Sequence, residues 1–139
     1  MSITAKELDV LSRTIWGEAR GEPLLGKIAV AYVIYNRVTM DLHGASKPDW
    51  WGEGVIGVCQ NPAQFSCWNE HDNNRAKMLA VSADDDAAKE CLYVALGVWL
   101  GHLSDPTAGA THYHAISVAP AWAKDKAGQQ IGNHVFYRL

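Results

Sequence analysis

One carboxylate in this sequence falls where a helix is expected to be apolar. Leu8, Leu11 and Ile15 recur at helical spacing, and Glu18 continues their stripe. Carboxylates are rarely buried without a partner, and the C-terminal end of a helix disfavours negative charge. Both effects favour the protonated carboxyl, which is the form that a general acid needs near neutral pH. Glu18 is therefore a candidate general acid.

The residues alone also allow a structural interpretation of the glutamates in this segment. Glu18 could form an ion pair with Arg13 or Arg20 instead of meeting a substrate. Glu22 directly precedes Pro23, which suits the first turn of a second helix. We therefore interpret Glu22 as a cap of that helix.

Three histidines near the C-terminus suggest a second chemistry. His112 and His114 would lie on one face of a strand, and His134 could join them from a neighbouring strand. Three imidazoles around an open position form a known type of catalytic zinc site. A zinc-dependent hydrolase is therefore the alternative chemistry. Paired histidines are common in strands without metal, and we predict neither a metal nor another cofactor.

Helical signals dominate the elements that must position these side chains. Thr4 and Glu7 have the spacing of a capping box, so a first helix is predicted from about Ala5 to about Gly17. Further helices are predicted over residues 24–38 and 55–59, and a last helix is predicted from a cap within 82–86 to about residue 102. Residues 41–54 are predicted to form a loop, and the polar residues 69–74 are predicted to be exposed.

The end of the chain has a different pattern. Thr111–Ala115 and Asn133–Tyr137 alternate with a period of two, which predicts two short strands. The segment between them contains Pro120 and Gly128 and is predicted to be mostly irregular. The predicted fold class is α+β, mainly α, with a small β-hairpin near the C-terminus.

Composition limits the classes of protein that fit. The 139 residues are 48% hydrophobic, which predicts one domain over residues 1–139 with a core of its own. A net charge of −3 argues against a nucleic-acid partner, and no apolar run is long enough to span a membrane. The three cysteines do not form a disulfide framework and are predicted to be small buried residues. We expect a monomer.

Four ordered blocks of sequence resemble one known family. The blocks are Leu11-Ser-Arg-Thr-Ile-Trp-Gly-Glu-Ala-Arg-Gly-Glu-Pro23 with Gly26–Ala31 and Asn36–Val38, then Pro62-Ala-Gln-Phe-Ser-Cys67, Asp105-Pro-Thr-Ala-Gly-Ala-Thr-His-Tyr-His-Ala115 and Ile131-Gly-Asn-His-Val-Phe-Tyr-Arg138. From about Leu8 to Arg138 the chain resembles the cell wall hydrolases of the SleB/CwlJ type, which include spore cortex-lytic enzymes and phage lysins. The resemblance implies a lysozyme-like, lytic-transglycosylase-like domain.

The resemblance also implies a substrate and a role for Glu18. The substrate would be the glycan strand of peptidoglycan, cut between N-acetylmuramic acid and N-acetylglucosamine with Glu18 as acid and base. Sugar binding needs polar groups beside aromatic faces, and two segments supply them. The candidate substrate-binding residues are Gln64, Phe65, Ser66, Thr111, His112, Tyr113, Asn133 and His134. With this substrate, the zinc-dependent alternative with His112, His114 and His134 would be an N-acetylmuramoyl-L-alanine amidase, which cuts the peptide from muramic acid. A non-catalytic glycan-binding module is the other alternative, but it has no reason to keep a carboxylate on an apolar stripe.

The acids outside this segment carry no motif for a second catalytic role. Asp41, Asp49 and Glu53 fall in the predicted loop, where solvated acids are common. We therefore expect Glu18 to return as the base on the muramoyl 6-hydroxyl and to leave 1,6-anhydro ends. The sequence shows no wall-binding region or secretion signal, so we expect a phage-type endolysin that is made in the cytoplasm and reaches the wall after release.

Overall fold

The computed structural model of the chain describes residues 2–43, 51–62 and 64–139. Within these ranges the helices are α1 (Ala5–Ala19), α2 (Leu24–His43), α3 (Gly54–Cys59), α4 (Asn73–Ala80) and α5 (Asp86–Trp99), and the strands are β1 (His112–Ala115), β2 (Gln129–Ile131) and β3 (His134–Tyr137). Short 3-10 helices cover Ser66–Trp68 and Ala121–Ala123. The predicted α+β class, mainly α, is confirmed. No helix in the described ranges has an apolar stretch long enough to cross a membrane.

The first helix begins as predicted and ends two residues later than predicted. Its capping box is present, with the Glu7 amide bound to the Thr4 hydroxyl and the Thr4 amide bound to the Glu7 carboxylate. Gly17 does not end the helix. A Cβ at this position would lie 2.7 Å from Cβ of Cys67, so the glycine serves close packing of another segment. The helix therefore carries Glu18 in its last turn.

Helix α2 is the central helix of the domain. Ala29, Val30, Ala31 and Val33 are fully buried, which agrees with a helix that is apolar on nearly every face. The helix continues to His43, five residues beyond the predicted end, because no glycine or proline interrupts the sequence before position 44. The predicted loop therefore starts later, and residues 44–50 lie outside the described residues.

Residues 69–74 include no buried residue, in agreement with the predicted exposed polar segment, but helix α4, which begins at Asn73, was not predicted. Asp72 caps this helix by accepting a hydrogen bond of 2.8 Å from the Asn74 amide. The helix buries only Met78, so its hydrophobic pattern is too weak to detect in the sequence. Arg13 of α1 donates to the carbonyls of Met78 and Leu79, which have no partners within the helix.

The helix after α4 has nearly its predicted bounds. Asp85 is the cap, accepting a hydrogen bond of 2.8 Å from the amide of Ala88. The helix ends at Trp99 rather than near residue 102, and Gly101 follows with a φ of 76°. A glycine in the left-handed region just beyond a helix is a common terminator. Helix α5 packs against α1 and α2, and these three helices bury most of the core.

The sheet has three antiparallel strands in the order β1-β3-β2, not the two strands of the predicted hairpin. The strand that was missed, β2, is short and begins with two exposed glutamines, so it lacks the alternating pattern. The pairing of Ala115 with His134 and of His112 with Tyr137 fixes the two faces of the sheet. The inner face packs on α2 and carries Tyr113, Ile131, His134 and Phe136. The outer face carries His112, His114, Val135 and Tyr137.

Candidate active site

Glu18 is half-buried in the last turn of α1, and its carboxylate accepts two hydrogen bonds. The Tyr113 hydroxyl donates to Oε1 at 2.7 Å, and the backbone N–H of Cys67 donates to Oε2 at 3.3 Å. In the described part of the chain, no lysine, arginine or histidine lies within ion-pair distance of this carboxylate. Glu18 is therefore held by a hydroxyl and an amide rather than by a charge.

The two arginines that could have neutralised Glu18 have other partners. Arg13 forms an ion pair of 3.1 Å with Asp9, one turn earlier on α1. Arg20 donates to the side-chain oxygen of Asn74 at 3.0 Å. The structural interpretation of Glu18 as half of an ion pair is therefore wrong.

Tyr113 brings the sheet into contact with the end of α1. Its ring stacks on Phe136 with centroids 5.5 Å apart and meets His134 edge-on at 5.0 Å. The pKa of Tyr113 lies well above its usual value, mainly because the phenol is buried and also because the negative charge of Glu18 is adjacent. The phenol therefore keeps its proton and remains a donor to Glu18 throughout the neutral pH range.

The second donor to Glu18 lies on the segment around the first 3-10 helix. Trp68 anchors this segment on α1 through a hydrogen bond of 2.8 Å from its indole to the hydroxyl of Thr14. Burial, the charge of Glu18 and a side-chain hydrogen bond to Glu18 raise the pKa of the Cys67 thiol, so the thiol keeps its proton and is a weak donor beside the backbone amide. The absence of a side chain at Gly17 allows this approach.

Arg37 is a part of the site that the sequence analysis missed. It lies in α2 with 6% of its surface exposed, and its guanidinium donates to the Thr111 carbonyl at 2.8 Å and to Gln64 Oε1 at 2.6 Å. Burial lowers its pKa to about 10, so it is still a cation at neutral pH. A basic residue inside an otherwise apolar helix was the available signal.

The other candidate substrate-binding residues of the two segments that Arg37 contacts differ in exposure. Phe65 is 1% exposed and belongs to the core, whereas Ser66 is exposed and Gln64 is half-buried. Thr111 is buried, and its hydroxyl contacts Nδ1 of His112 at 2.9 Å. His112 projects from the outer face of the sheet.

Glu22 does not cap α2 with its side chain as predicted but binds the turn between β2 and β3. Its oxygens accept hydrogen bonds of 2.7 and 2.8 Å from the backbone and side-chain amides of Asn133, and Nδ1 of His134 lies 3.2 Å away. Burial opposes the charged form, but the Asn133 donors and His134 outweigh it, so the pKa of Glu22 lies below its usual value. Asn133 and His134 are therefore joined to Glu22 rather than to Glu18.

The three histidines of the alternative zinc site do not converge. His134 is paired with Ala115, so it shares the inner face of the sheet with Tyr113. His112 and His114 point to the outer face, where both contact Trp122. Within the described residues, no group of three or more potential ligands is placed to hold a metal ion.

The loop acids contribute little to the described site. Asp49 lies outside the described residues, as does the side chain of Asp41. Glu53 is exposed and immediately precedes α3. In the described part of the chain, no carboxylate is hydrogen-bonded to Glu18 or shares its two donors.

Comparison with known proteins identifies the family. The model of the cell wall hydrolase family matches residues 21–137. The chain belongs to this family. A spore cortex-lytic enzyme of Bacillus cereus is 31% identical over 133 residues, which cover 94% of this chain and 43% of that protein. The corresponding enzyme of Bacillus subtilis is 28% identical, with 94% of this chain and 37% of that protein covered. This family member thus spans about two fifths of the length of these relatives.

Solved structures agree with the family assignment. The catalytic domain of the Bacillus cereus SleB protein matches with a TM-score of 0.68 and 29% identity over 97% of this chain and 91% of that one. The catalytic domain of a germination-specific lytic transglycosylase, SleB of Bacillus anthracis, matches with the same score and identity, covering 97% and 96%. The predicted lysozyme-like fold is confirmed, as is the prediction that the chain is an enzyme of the cell wall hydrolase type.

The contacts of Glu22 in this cell wall hydrolase predict a pH-dependent contribution to stability. Glu22→Gln would present an amide group to the Asn133 donors, so the free energy of unfolding should fall by about 1.5–3 kcal/mol at neutral pH. Because the folded pKa lies below the usual 4.5, the wild-type advantage is complete above pH 4.5 and is lost as the pH falls through the folded pKa. Denaturant unfolding of both proteins at neutral and acidic pH measures this difference.

A constant difference between the two proteins down to the lowest pH would contradict the assignment. The folded fraction of Glu22→Gln should keep most of its activity, because Glu22 does not contact Glu18. An exposed substitution, Glu70→Gln, serves as the control for loss of one charge and should leave stability within about 0.5 kcal/mol of wild type.

Proposed function

We propose that this domain is a lytic transglycosylase that cleaves the glycan strand of peptidoglycan between N-acetylmuramic acid and N-acetylglucosamine, with Glu18 as acid and base. The observation that carries the proposal is a half-buried carboxylate at the end of α1, which Tyr113 and the amide of Cys67 hold and which forms no ion pair within residues 2–42, 51–62 and 64–139. The family and the description of the Bacillus anthracis relative as a lytic transglycosylase support it.

The two hydrogen bonds support different roles for the two oxygens of Glu18. Oε1 is occupied by the Tyr113 hydroxyl at 2.7 Å, whereas the contact of Oε2 with an amide is longer, at 3.3 Å. The mobile proton is therefore carried on Oε2 and passes to the glycosidic oxygen as the bond from that oxygen to C1 of muramic acid breaks. N-acetylglucosamine leaves with the proton, and the muramoyl ring becomes an oxocarbenium ion.

The same carboxylate completes the reaction. Ionised Glu18 accepts the proton of the muramoyl 6-hydroxyl while O6 forms a bond to C1, which gives the 1,6-anhydro ring and restores the acid. Tyr113 donates to Oε1 in both steps, because its raised pKa prevents it from losing its own proton. No water enters the balance, and no second carboxylate is required.

The contacts of Glu22 support capture by the 6-hydroxyl. A retaining hydrolase needs a second carboxylate about 5–5.5 Å from the acid, and an inverting enzyme needs a base that activates water. Glu22 is the nearest acid to Glu18 in the sequence, and Asn133 occupies both of its oxygens. That the enzyme is an endolysin which reaches the wall after release remains a prediction from the sequence.

Glu18→Gln tests the acid directly. Glutamine keeps an oxygen for the Tyr113 hydroxyl but cannot deliver a proton, so lytic activity should fall by about 10²–10⁴-fold. Circular dichroism and the melting temperature should match those of wild type, and Glu70→Gln should be fully active. If the folded Glu18→Gln variant clears a peptidoglycan suspension at nearly the wild-type rate, Glu18 is not the acid.

Tyr113→Phe tests whether the tyrosine acts through Glu18 or on the substrate. The ring packing on Phe136 is kept, and only the donor to Oε1 is removed. Loss of a hydrogen bond to a charged group should reduce kcat by about 10–100-fold with little change in KM. A rise in KM at unchanged kcat would instead make Tyr113 a sugar contact, as the sequence analysis expected.

The products distinguish a transglycosylase from a hydrolase. Digests of purified peptidoglycan by the wild-type domain should contain muropeptides that are one water lighter than those released by a hydrolase, without a reducing muramic acid end. Mass spectrometry before and after borohydride reduction measures both properties. Products with only reducing ends would show that water is the acceptor and would overturn the single-carboxylate mechanism.

A further inference from the structure

Arg37 is a buried cation without a carboxylate partner in the described part of the chain. An uncompensated buried charge is costly, and an apolar residue in the middle of α2 would avoid that cost. The guanidinium instead lies 5.7 Å from the ring centroid of Trp51 and 5.4 Å from that of Phe65, and its polar contacts are the Thr111 carbonyl and the Gln64 amide. The contacts indicate a specific use for the charge.

Arg37 joins the two segments that supply the donors to Glu18. The bond to the Thr111 carbonyl holds the chain two residues before Tyr113. The bond to Gln64 holds the chain three residues before Cys67. One side chain of α2 therefore positions both segments of the Glu18 site, and Gln64 lies on the same segment as the Cys67 amide.

The bond from Arg37 also determines which end of the Gln64 amide is available. Oε1 accepts from the guanidinium at 2.6 Å, so the NH2 group points away from the cation. Over residues 2–43, 51–62 and 64–139, that NH2 group has no hydrogen-bond acceptor. A cation bound to the amide oxygen polarises the amide and strengthens its N–H donors. Gln64 is thus an oriented, half-buried donor whose NH2 group has no partner among the described residues.

We propose that Arg37 is a positioning residue that fixes Gln64 so that Gln64 Nε2 donates a hydrogen bond to the acetamido carbonyl of a sugar in the strand being cut. This inference rests on the proposed function, because it takes the glycan strand as the substrate. The acetamido carbonyl is the strongest neutral hydrogen-bond acceptor on the glycan strand and occurs on every N-acetylated sugar. The peptide carbonyls, by contrast, lie on stem peptides that branch from the strand. Gln64 thereby selects N-acetylated glycan.

Gln64→Glu separates this role from a purely structural one. The carboxylate is nearly isosteric and forms an ion pair with Arg37, so the melting temperature should equal or exceed that of wild type. The variant loses the N–H donor and places an acceptor against the acetamido carbonyl. On N-acetylated peptidoglycan, KM should rise at least about tenfold while kcat changes little.

Chemically de-N-acetylated peptidoglycan provides the matched substrate. This substrate lacks the acetamido carbonyl and carries an ammonium group, with which the carboxylate introduced at position 64 can form an ion pair. The ratio of kcat/KM for acetylated over de-N-acetylated glycan should therefore fall by at least about tenfold in Gln64→Glu. Arg37→Lys should shift the ratio in the same direction. Gln60→Glu, an exposed change of equal charge on the same loop, should leave the ratio unchanged.

Two results would overturn the inference. One is a stable Gln64→Glu variant whose substrate ratio equals that of wild type. The other is a KM effect that disappears on strands stripped of their stem peptides, which would make a peptide carbonyl the acceptor. Failure of the proposed function looks different, because wild type would then release no glycan fragments or Glu18→Gln would remain active.

Discussion

The hydrogen bond of 2.7 Å from Tyr113 to Glu18 is the contact on which the site depends. It joins the inner face of a small sheet to the last turn of α1, two elements separated by most of the chain. The bond is reliable because burial keeps the phenol protonated, so its donor is present in every state of the carboxylate. The sheet packs on α2, and α2 packs on α1. The position of Tyr113 relative to the proposed acid therefore depends on the packing of these elements in the core.

Two glutamates four residues apart illustrate how the tertiary structure divides similar side chains between roles. Glu22 has both oxygens bound by Asn133 and lies beside His134, so it is an anchor between the corner after α1 and the turn before β3. Glu18 accepts one short and one long hydrogen bond and remains half-buried. Glu22 is thus bound on both oxygens, whereas Glu18 has the looser hydrogen bonding that its proposed role as an acid requires.

Both hydrogen-bond donors to the Glu18 carboxylate that the described residues supply, the Tyr113 hydroxyl and the Cys67 amide, are neutral. Arg37 contacts the segments that carry Tyr113 and Cys67 but makes no ion pair with Glu18. A direct ion pair would favour the ionised carboxylate and oppose a general acid. Because Arg37 binds Thr111 and Gln64 and not Glu18, it can hold these segments without that effect. The cysteines are free thiols buried in the domain.

The sequence by itself determined the helices with strong patterns, the α+β class and Glu18 as the candidate acid. Local signals sufficed there, because the Thr4 capping box and the apolar stripe of α1 involve residues within a few turns of one another. Helix α4 and strand β2 were missed because each buries little, and Arg37 was missed because its partners lie 27 and 74 residues away in the sequence. Only the tertiary structure decided that Tyr113 faces Glu18, that Asn133 binds Glu22 and that His134 points away from His112. Each depends on the strand register, and a register shifted by one residue would reverse every side chain in the sheet.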